Sequence, residues 1–314
     1  MNLENFIFEN MNHITTIKRN RGKIYCIKTL DDGRLAAGDS NSDLIIYNNK
    51  TFNPEIIIQN NLDCLWNFTQ LKNHYIACSF SDSYTFKIIK NINNNNENEN
   101  QIIKNAHNKD ISKIIELKNE NLITFSLDNS FKIWKFNNNT NIYEQIYVFF
   151  DINILSDGLE IKDNEIILYA LGGSSKSLVF YNLNEKEKIK ALNNLNLYID
   201  CVGNRIIKLN NDEVIVTGNK KVYLIDIKNY LILNEINFDC FGESILKLSN
   251  NLFLIGDEIG RITQYKIENK IIIEESWVIY YCEKNIWSMT LLNNMIISVN
   301  GLRNEIKIWN KILK

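Results

Sequence analysis

Short apolar runs of four to six residues recur along the chain, and polar turns rich in Asn and Asp separate them. Runs of this length that are rich in Ile, Leu, Val and aromatic residues are typical of β-strands. The first set occupies residues 24–27, 34–37 and 44–47, with a turn at 31–33. Asn replaces the usual Gly and Pro in many turns, because Asn tolerates left-handed backbone. The pattern predicts an all-β protein.

The same order of runs returns seven times. The third run of each set closes at residue 47, 88, 134, 181, 225, 265 or 309, so successive ends are 40 to 47 residues apart. A repeat of about 40–45 residues that contains several short strands is typical of a propeller blade. A β-sandwich does not repeat one motif at this spacing. The repeat therefore predicts a seven-bladed β-propeller.

A fourth apolar run follows the third in most sets, for example at 55–58, so each blade is predicted to be a four-stranded antiparallel sheet. The last set lacks a fourth run, and we expect the N-terminal strand 12–18 to fill that place and to remove the open sheet edges. The Asn-rich tract 91–100 is expected to form a surface loop. The predicted single domain spans 1–314, with blades at 19–59, 60–104, 105–150, 151–194, 195–237, 238–281 and 282–314.

The third repeat carries the most specific motif. Three residues separate His107 from Ile111, where the first strand begins, and residues 128–134 read Asp-Asn-Ser-Phe-Lys-Ile-Trp. This repeat resembles those of the WD40-repeat family, which open on Gly-His and close on Trp-Asp. Ala106 and Lys135 replace the family's Gly and final Asp. Other repeats keep less of the motif: the second retains Asp82 without a preceding His, and the last keeps a closing Trp.

The resemblance implies a hydrogen-bonded network inside the third blade. Its members are His107, Asp128, Trp134 and a hydroxyl group from Thr124 or Ser126. Each member gives another buried polar group a partner, as a protein interior requires. We interpret the network as structural, in preference to a catalytic charge relay.

The resemblance also implies where partners bind. In this family the top rim and the central channel carry most contacts, many of them from the start of each first strand. Tyr25, Trp66 and Trp287 hold that position in three neighbouring blades, with Lys23 and Arg21 beside them. Trp and Tyr are typical anchors of protein interfaces, so these residues are predicted to form a partner-binding patch. The alternative is that the aromatic rings fill space between wedge-shaped blades. Ser112, Asn204 and Glu243 hold the same position in other blades.

Composition narrows the function further. The net charge is −2, from 35 Lys and Arg against 37 Asp and Glu, which disfavours a general nucleic-acid or membrane-surface binder. Six cysteines without a C-x-x-C pair and three histidines predict free thiols, no metal site and no cofactor. The N-terminus lacks a signal-peptide pattern, and no apolar run approaches about 18 residues. An intracellular, cytoplasmic location is expected, with the nucleus as the alternative.

These observations favour a non-enzymatic scaffold or adaptor subunit of a multiprotein assembly. The alternative is a reader of a short linear peptide motif, modified or unmodified, at the mouth of the channel. A propeller hydrolase is a third hypothesis. It is disfavoured because propeller enzymes gather acid, base or metal-binding groups in the channel, and no His of this chain recurs in register. The expected partners are other proteins.

Overall fold

The computed structural model describes residues 11–18, 22–93, 99–150, 154–172, 175–197, 205–279, 285–300 and 304–311. These residues form 27 β-strands and no α-helix. The strands are β1 Met11–Lys18, β2 Ile24–Thr29, β3 Leu35–Asp39, β4 Leu44–Tyr47, β5 Pro54–Ile58, β6 Leu65–Gln70, β7 Ile76–Phe80, β8 Phe86–Ile89, β9 Gln101–Ile103, β10 Ile111–Glu116, β11 Leu122–Ser126, β12 Phe131–Asn137, β13 Ile142–Phe149, β14 Ile154–Lys162, β15 Glu165–Gly172, β16 Ser175–Asn182, β17 Glu187–Leu192, β18 Ile206–Lys208, β19 Glu213–Thr217, β20 Asn219–Asp226, β21 Leu231–Lys247, β22 Leu252–Asp257, β23 Arg261–Glu268, β24 Ile271–Ile279, β25 Ile286–Leu292, β26 Met295–Asn300 and β27 Glu305–Lys311.

The strands pair antiparallel in five sheets of four strands and one sheet of seven. We number the four-strand units 1 to 7 along the chain: β2–β5, β6–β9, β10–β13, β14–β17, β18–β21, β21–β24, and β25–β27 with β1. The predictions of an all-β protein and of four-stranded antiparallel sheets are confirmed. In unit 7, β1 pairs with β27 so that His13 lies opposite Trp309 and Lys18 opposite Glu305.

One strand departs from the predicted boundary at 237/238. β21 runs without interruption over 17 residues and belongs to both unit 5 and unit 6. No proline or tight turn ends it, so the chain changes partners while it stays extended. Gly242 marks the change, because a Cβ atom there would lie 2.9 Å from the Thr217 side chain of β19.

The apolar core lies between consecutive units. One cluster joins units 2 and 3 through Phe86, Ile111 and Trp134, and another joins units 7 and 1 through Ile27 and Ile308. The described residues contain such a cluster between every two units that follow one another along the chain. Each sheet therefore buries both of its faces against neighbouring sheets, which accounts for continuous apolar runs in place of alternating ones.

The first strand of a unit carries a β-bulge near its start. A bulge places two residues opposite one residue of the partner strand and redirects a side chain. The extra residue is Tyr25, Trp66, Ser112, Ser156, Glu243 or Trp287 in units 1, 2, 3, 4, 6 and 7. In unit 5 this position falls on Asn204, which lies outside the described residues.

The residue after the bulge points to the next unit. The Ser244 hydroxyl donates to the carbonyl of Ile286 at 2.7 Å, and the Ser288 Oγ accepts a hydrogen bond from the Ile27 backbone N–H at 3.2 Å. Such contacts form an upper belt, made by Cys26, Lys113, Asp157, Arg205, Ser244 and Ser288. Among the described residues, no ladder hydrogen bonds join the first strands of different units, and the upper belt links these strands.

A lower belt lies three residues further along the first strands of units 1 to 6 and points to the preceding unit. Glu116 accepts a hydrogen bond from the Lys72 backbone N–H at 2.8 Å, and Glu160 accepts one from that of Lys118 at 2.7 Å. The lower belt consists of Thr29, Gln70, Glu116, Glu160, Lys208 and Lys247. The two belts therefore place the bulge residues at one end of the first strands. We call this end the upper rim.

Candidate protein-binding rim

The polar network predicted for the third repeat lies inside unit 3. His107 Nε2 is 2.7 Å from the Thr124 hydroxyl, which also accepts a hydrogen bond from Trp134 Nε1 at 2.9 Å. His107 Nδ1 is 3.1 Å from the Asp128 carboxylate. Thr124 therefore occupies the place between His and Trp, whereas Ser126 donates to the Lys109 carbonyl. Thr124 and Ser126 are fully buried, so a substrate has no access to these two hydroxyl groups.

Electrostatics inside this network favour a neutral histidine and an ionised aspartate. Burial lowers the pKa of His107, and the Asp128 carboxylate only partly offsets that effect. Burial acts to raise the pKa of Asp128, but hydrogen bonds from His107, the Asn108 N–H and Ser130 outweigh it and lower the pKa. His107 is therefore a fixed hydrogen-bond partner at neutral pH.

Unit 7 contains a reduced version of the same arrangement. Trp309 Nε1 donates to the Ser298 hydroxyl at 2.9 Å. The His13 ring from β1 meets the Trp309 ring edge to face, with centroids 5.4 Å apart. An aromatic pair of this geometry adds about 0.5–1.5 kcal/mol beyond the burial of its area. The contact joins the first described strand of the chain to the last.

Two of the predicted rim aromatics are in contact. The rings of Tyr25 and Trp287 stack with centroids 5.1 Å apart and an interplanar angle of 16°. Burial, followed by the adjacent Cys64 thiol, raises the pKa of the Tyr25 hydroxyl to about 12. Tyr25 therefore stays protonated, and its hydroxyl lies beside the connection that leads into unit 2.

The other predicted rim residues are placed differently. Trp66 occupies the bulge of unit 2 and is half-buried. Within the described part of the chain, its ring does not stack on Tyr25 or Trp287. Lys23 is exposed, and its backbone N–H donates to the Ser40 hydroxyl at 2.8 Å. Arg21 lies outside the described residues.

Buried charges close to the rim were not part of the sequence-based prediction. Lys113 pairs with Asp157, and Arg205 pairs with Glu243 at 3.0 Å. Asp157 also accepts hydrogen bonds from the backbone N–H groups of Arg205 and Ile206, at 2.6 and 3.1 Å. The available signal was a charged residue inside an apolar run, as with Lys113 in β10. Ser156 was also missed at the bulge of unit 4, because the first strand of that repeat looks irregular in sequence.

The described residues include no helix that is long and apolar enough to cross a membrane. Within the same ranges, no group of three His, Cys, Asp or Glu side chains is arranged to hold a metal ion. The described cysteines Cys26, Cys64, Cys78 and Cys240 are free thiols. Burial raises the pKa of Cys26 to about 12 and also raises that of Cys78, so neither thiol is poised for nucleophilic chemistry.

These features define an all-β protein of stacked four-stranded sheets with an aromatic upper rim. Solved structures identify the fold. The structure of U3-55K matches with a TM-score of 0.74 and 12% identity, over 96% of this chain and 98% of that one. The structure of the RRP9 WD40 repeats matches with a TM-score of 0.74 and 13% identity, over 96% and 97%. The chain therefore has the WD40-repeat fold.

Comparison of the sequence itself finds no matching protein-family model and no matching curated protein.

Proposed function

We propose that this protein is a non-enzymatic scaffold that binds other proteins through the upper rim, and that it serves as an adaptor subunit of a larger assembly. The observation that carries the proposal is the Tyr25–Trp287 stack at the bulge positions of two units, with Trp66 at the same position of a third. Rigid, half-buried aromatic rings offer a large contact area at low entropic cost. The expected partners are proteins, in the cytoplasm or the nucleus.

The proposal includes a closed ring of seven blades. Three observations support closure: β1 pairs with β27, an apolar cluster lies between units 7 and 1, and Ser288 of unit 7 bonds to Ile27 of unit 1. In such a ring Trp287, Tyr25 and Trp66 belong to three successive blades. The rim then presents them as one surface without any movement of the fold.

An enzymatic role has less support. The one His–Asp pair with hydrogen-bonding geometry, among the described residues, is His107–Asp128, and its side chains are buried in unit 3. Catalysis by a general base requires contact between that base and the substrate. The second candidate function is a reader of one short peptide motif, which the Tyr25–Trp287 stack favours as a docking point.

The first test is affinity capture of the tagged full chain from extracts of its native cell, followed by mass spectrometry. We expect stoichiometric partner proteins, and we expect W66A/W287A to lose at least one of them. K23E provides a second rim variant, since an exposed charge reversal leaves the core intact. F150A is the matched control, because Phe150 is an exposed aromatic residue (66%) that follows the outer strand of unit 3.

Each outcome has a clear meaning, provided that circular dichroism shows all variants to be folded. Loss of partners from W66A/W287A and K23E, with retention by F150A, supports the rim as the docking surface. Retention of every partner by both rim variants contradicts the rim and leaves the scaffold role in place. Failure of the wild-type chain to capture any protein contradicts the scaffold role itself.

A further inference from the structure

The upper belt is incomplete at the junction between units 2 and 3. Asn67 holds the belt position of unit 2 and is only 9% exposed, but its Oδ1 atom has no hydrogen-bond partner. In units 1 and 6 the corresponding side chains bond to the carbonyl just before the next bulge, at Leu65 and Ile286. The same register directs Asn67 at the start of β10, next to Asp110.

A second buried polar group without a partner belongs to the same unit. Ser81 is 2% exposed, and its hydroxyl oxygen also has no hydrogen-bond partner. The Ser81 N–H donates to the Cys64 carbonyl at 3.0 Å, which places Ser81 against the connection that leads to Trp66. A buried polar atom without a partner destabilises the folded protein, so two of them in one unit require an explanation.

Three carboxylates lie close to one another at this junction. Asp110 accepts a hydrogen bond from the Asp82 backbone N–H at 2.8 Å. Burial raises the pKa of Asp110, and the charges of Asp82 and Asp63 raise it further. Both charged groups that act on Asp110 are therefore negative. We call Asp63, Asp82, Asp110, Asn67 and Ser81 the acceptor cluster.

Asp82 shows what the cluster lacks. It holds the turn position that Asp128 holds in unit 3, because Ser81 and Leu127 make the same backbone bond to the residue two before the bulge. Asp128 receives hydrogen bonds from His107, the Asn108 N–H and Ser130. Among the described residues, no side chain donates to the Asp82 carboxylate, since no His precedes β6 as His107 precedes β10, and Cys78 stands where unit 3 has Thr124.

The chemistry of the cluster selects a ligand with many donors and a positive charge. Every unsatisfied atom is an oxygen that can accept. The carboxylates are too dispersed for one metal ion, because no group of three acidic, His or Cys side chains in the described ranges is arranged to hold one. A guanidinium group is planar, spreads five N–H donors over several ångströms, and stacks on aromatic rings. Arginine fits this surface better than a compact cation.

We propose that the acceptor cluster binds an arginine side chain that a partner protein presents in an extended segment laid across the upper rim. The guanidinium donates to the carboxylates of Asp82 and Asp110, and the half-buried Trp66 ring packs against the arginine stem. The proposal rests on the proposed scaffold function and names the chemistry of one partner. In this proposal the partner's arginine binds next to the Tyr25–Trp287 stack and does not insert into it.

The test uses the folded full chain and synthetic peptides. Pools of fluorescent nine-residue peptides carry a fixed central arginine, and matched pools carry citrulline or lysine in its place. Citrulline keeps the shape of arginine but has no charge. Binding is measured by fluorescence anisotropy, and single peptides that bind from the arginine pool are then measured individually. The protein variants are wild type, D82N/D110N, and the control D163N/D212N, which removes the same charge from exposed turns at the other end of the first strands.

We expect arginine peptides to bind the wild-type chain and to lose at least about tenfold in affinity with citrulline or with D82N/D110N. The control D163N/D212N should remain within about twofold of the wild type, since a distant surface charge acts weakly through salt. Equal binding of arginine and citrulline peptides, equal binding by D82N/D110N, or no arginine-dependent binding at all would overturn the proposal. Partner capture that depends on Trp66 and Trp287 would then still support the scaffold function.

Discussion

Units 2 and 3 have the same arrangement of four strands, the same bulge and the same turn aspartate. They differ in whether their buried polar groups have hydrogen-bond partners. In unit 3 the aspartate, the histidine, the threonine and the tryptophan satisfy one another. In the described part of unit 2 no histidine bonds to the aspartate, and the buried oxygens of Asn67 and Ser81 have no partner. One backbone geometry thus serves either internal cohesion or contact with another molecule, and the choice depends on a few side chains.

The largest expected effect comes from disrupting the hydrogen-bonded network of unit 3. T124V keeps the shape of Thr124 but leaves both His107 Nε2 and Trp134 Nε1 without a buried partner. We expect the free energy of unfolding to fall by about 2–4 kcal/mol, because each unsatisfied buried group costs about 1–3 kcal/mol. Urea unfolding followed by tryptophan fluorescence measures the change. A loss below 0.5 kcal/mol on the same scale would contradict the view that the network stabilises unit 3.

A smaller effect concerns two lysines close to these units. Lys113 has Asp157 as a partner, whereas the Lys28 ammonium lies 5.7 Å from the centroid of the Phe68 ring. Burial, and then the charge of Lys113, lowers the pKa of Lys28 from 10.5 to about 8. Below about pH 8 the charged Lys28 side chain therefore destabilises the folded protein. K28M is expected to raise the free energy of unfolding by about 1–2 kcal/mol at pH 7.

The sign of the pH dependence follows from linkage. Between about pH 8 and pH 10.5 the unfolded chain holds the Lys28 proton more tightly than the folded chain does, so this residue makes the free energy of unfolding rise with pH. Urea unfolding at pH 7 and pH 9.5 should show that K28M loses this contribution. A destabilised K28M protein would show that the Lys28 charge has a stabilising partner. K113M is the contrasting variant, since it leaves the buried Asp157 without its lysine and should destabilise the protein.

The smallest expected effect concerns the Ser81 hydroxyl of unit 2, which has no hydrogen-bond partner. S81A removes a buried hydroxyl without a partner, so we expect the free energy of unfolding to change by no more than about 0.5 kcal/mol, or to increase. S40A alters the same position in unit 1, where the hydroxyl accepts a hydrogen bond from the Lys23 N–H at 2.8 Å. That variant should lose about 0.5–1.5 kcal/mol. Equal losses from both variants in parallel urea titrations would show that Ser81 is satisfied in the folded protein.

Much of the fold is readable from the sequence because each unit buries both faces of its sheet. Strands β2, β6 and β10 begin where the apolar runs begin, at residues 24, 65 and 111. The continuous strand β21 was not predictable from such runs, because the predicted blade boundary between residues 237 and 238 falls inside it. Local sequence does not reveal that extended backbone passes from one sheet to the next.

The candidate site was predictable only in part. Tyr25 and Trp287 are far apart in sequence, and the repeat spacing alone placed them in neighbouring blades. The acceptor cluster had no comparable signal, since Asp63, Asp82 and Asp110 come from three separate connections that only the packed units bring together. The sequence did show that the second repeat keeps its aspartate and lacks its histidine. The importance of that difference emerges from the unpartnered buried oxygens of Asn67 and Ser81 in the same unit.

The two belts explain how repeats of one architecture can differ so widely in sequence. The upper belt uses a thiol, an ammonium, a carboxylate, a guanidinium and two hydroxyls at one geometric position. Any side chain that reaches the next strand with a polar atom meets the requirement, so substitutions at this position are weakly constrained by chemistry. Repeats held together in this way can diverge in composition while the backbone is retained, as in a chain that shares only 12–13% identity with proteins of the same fold.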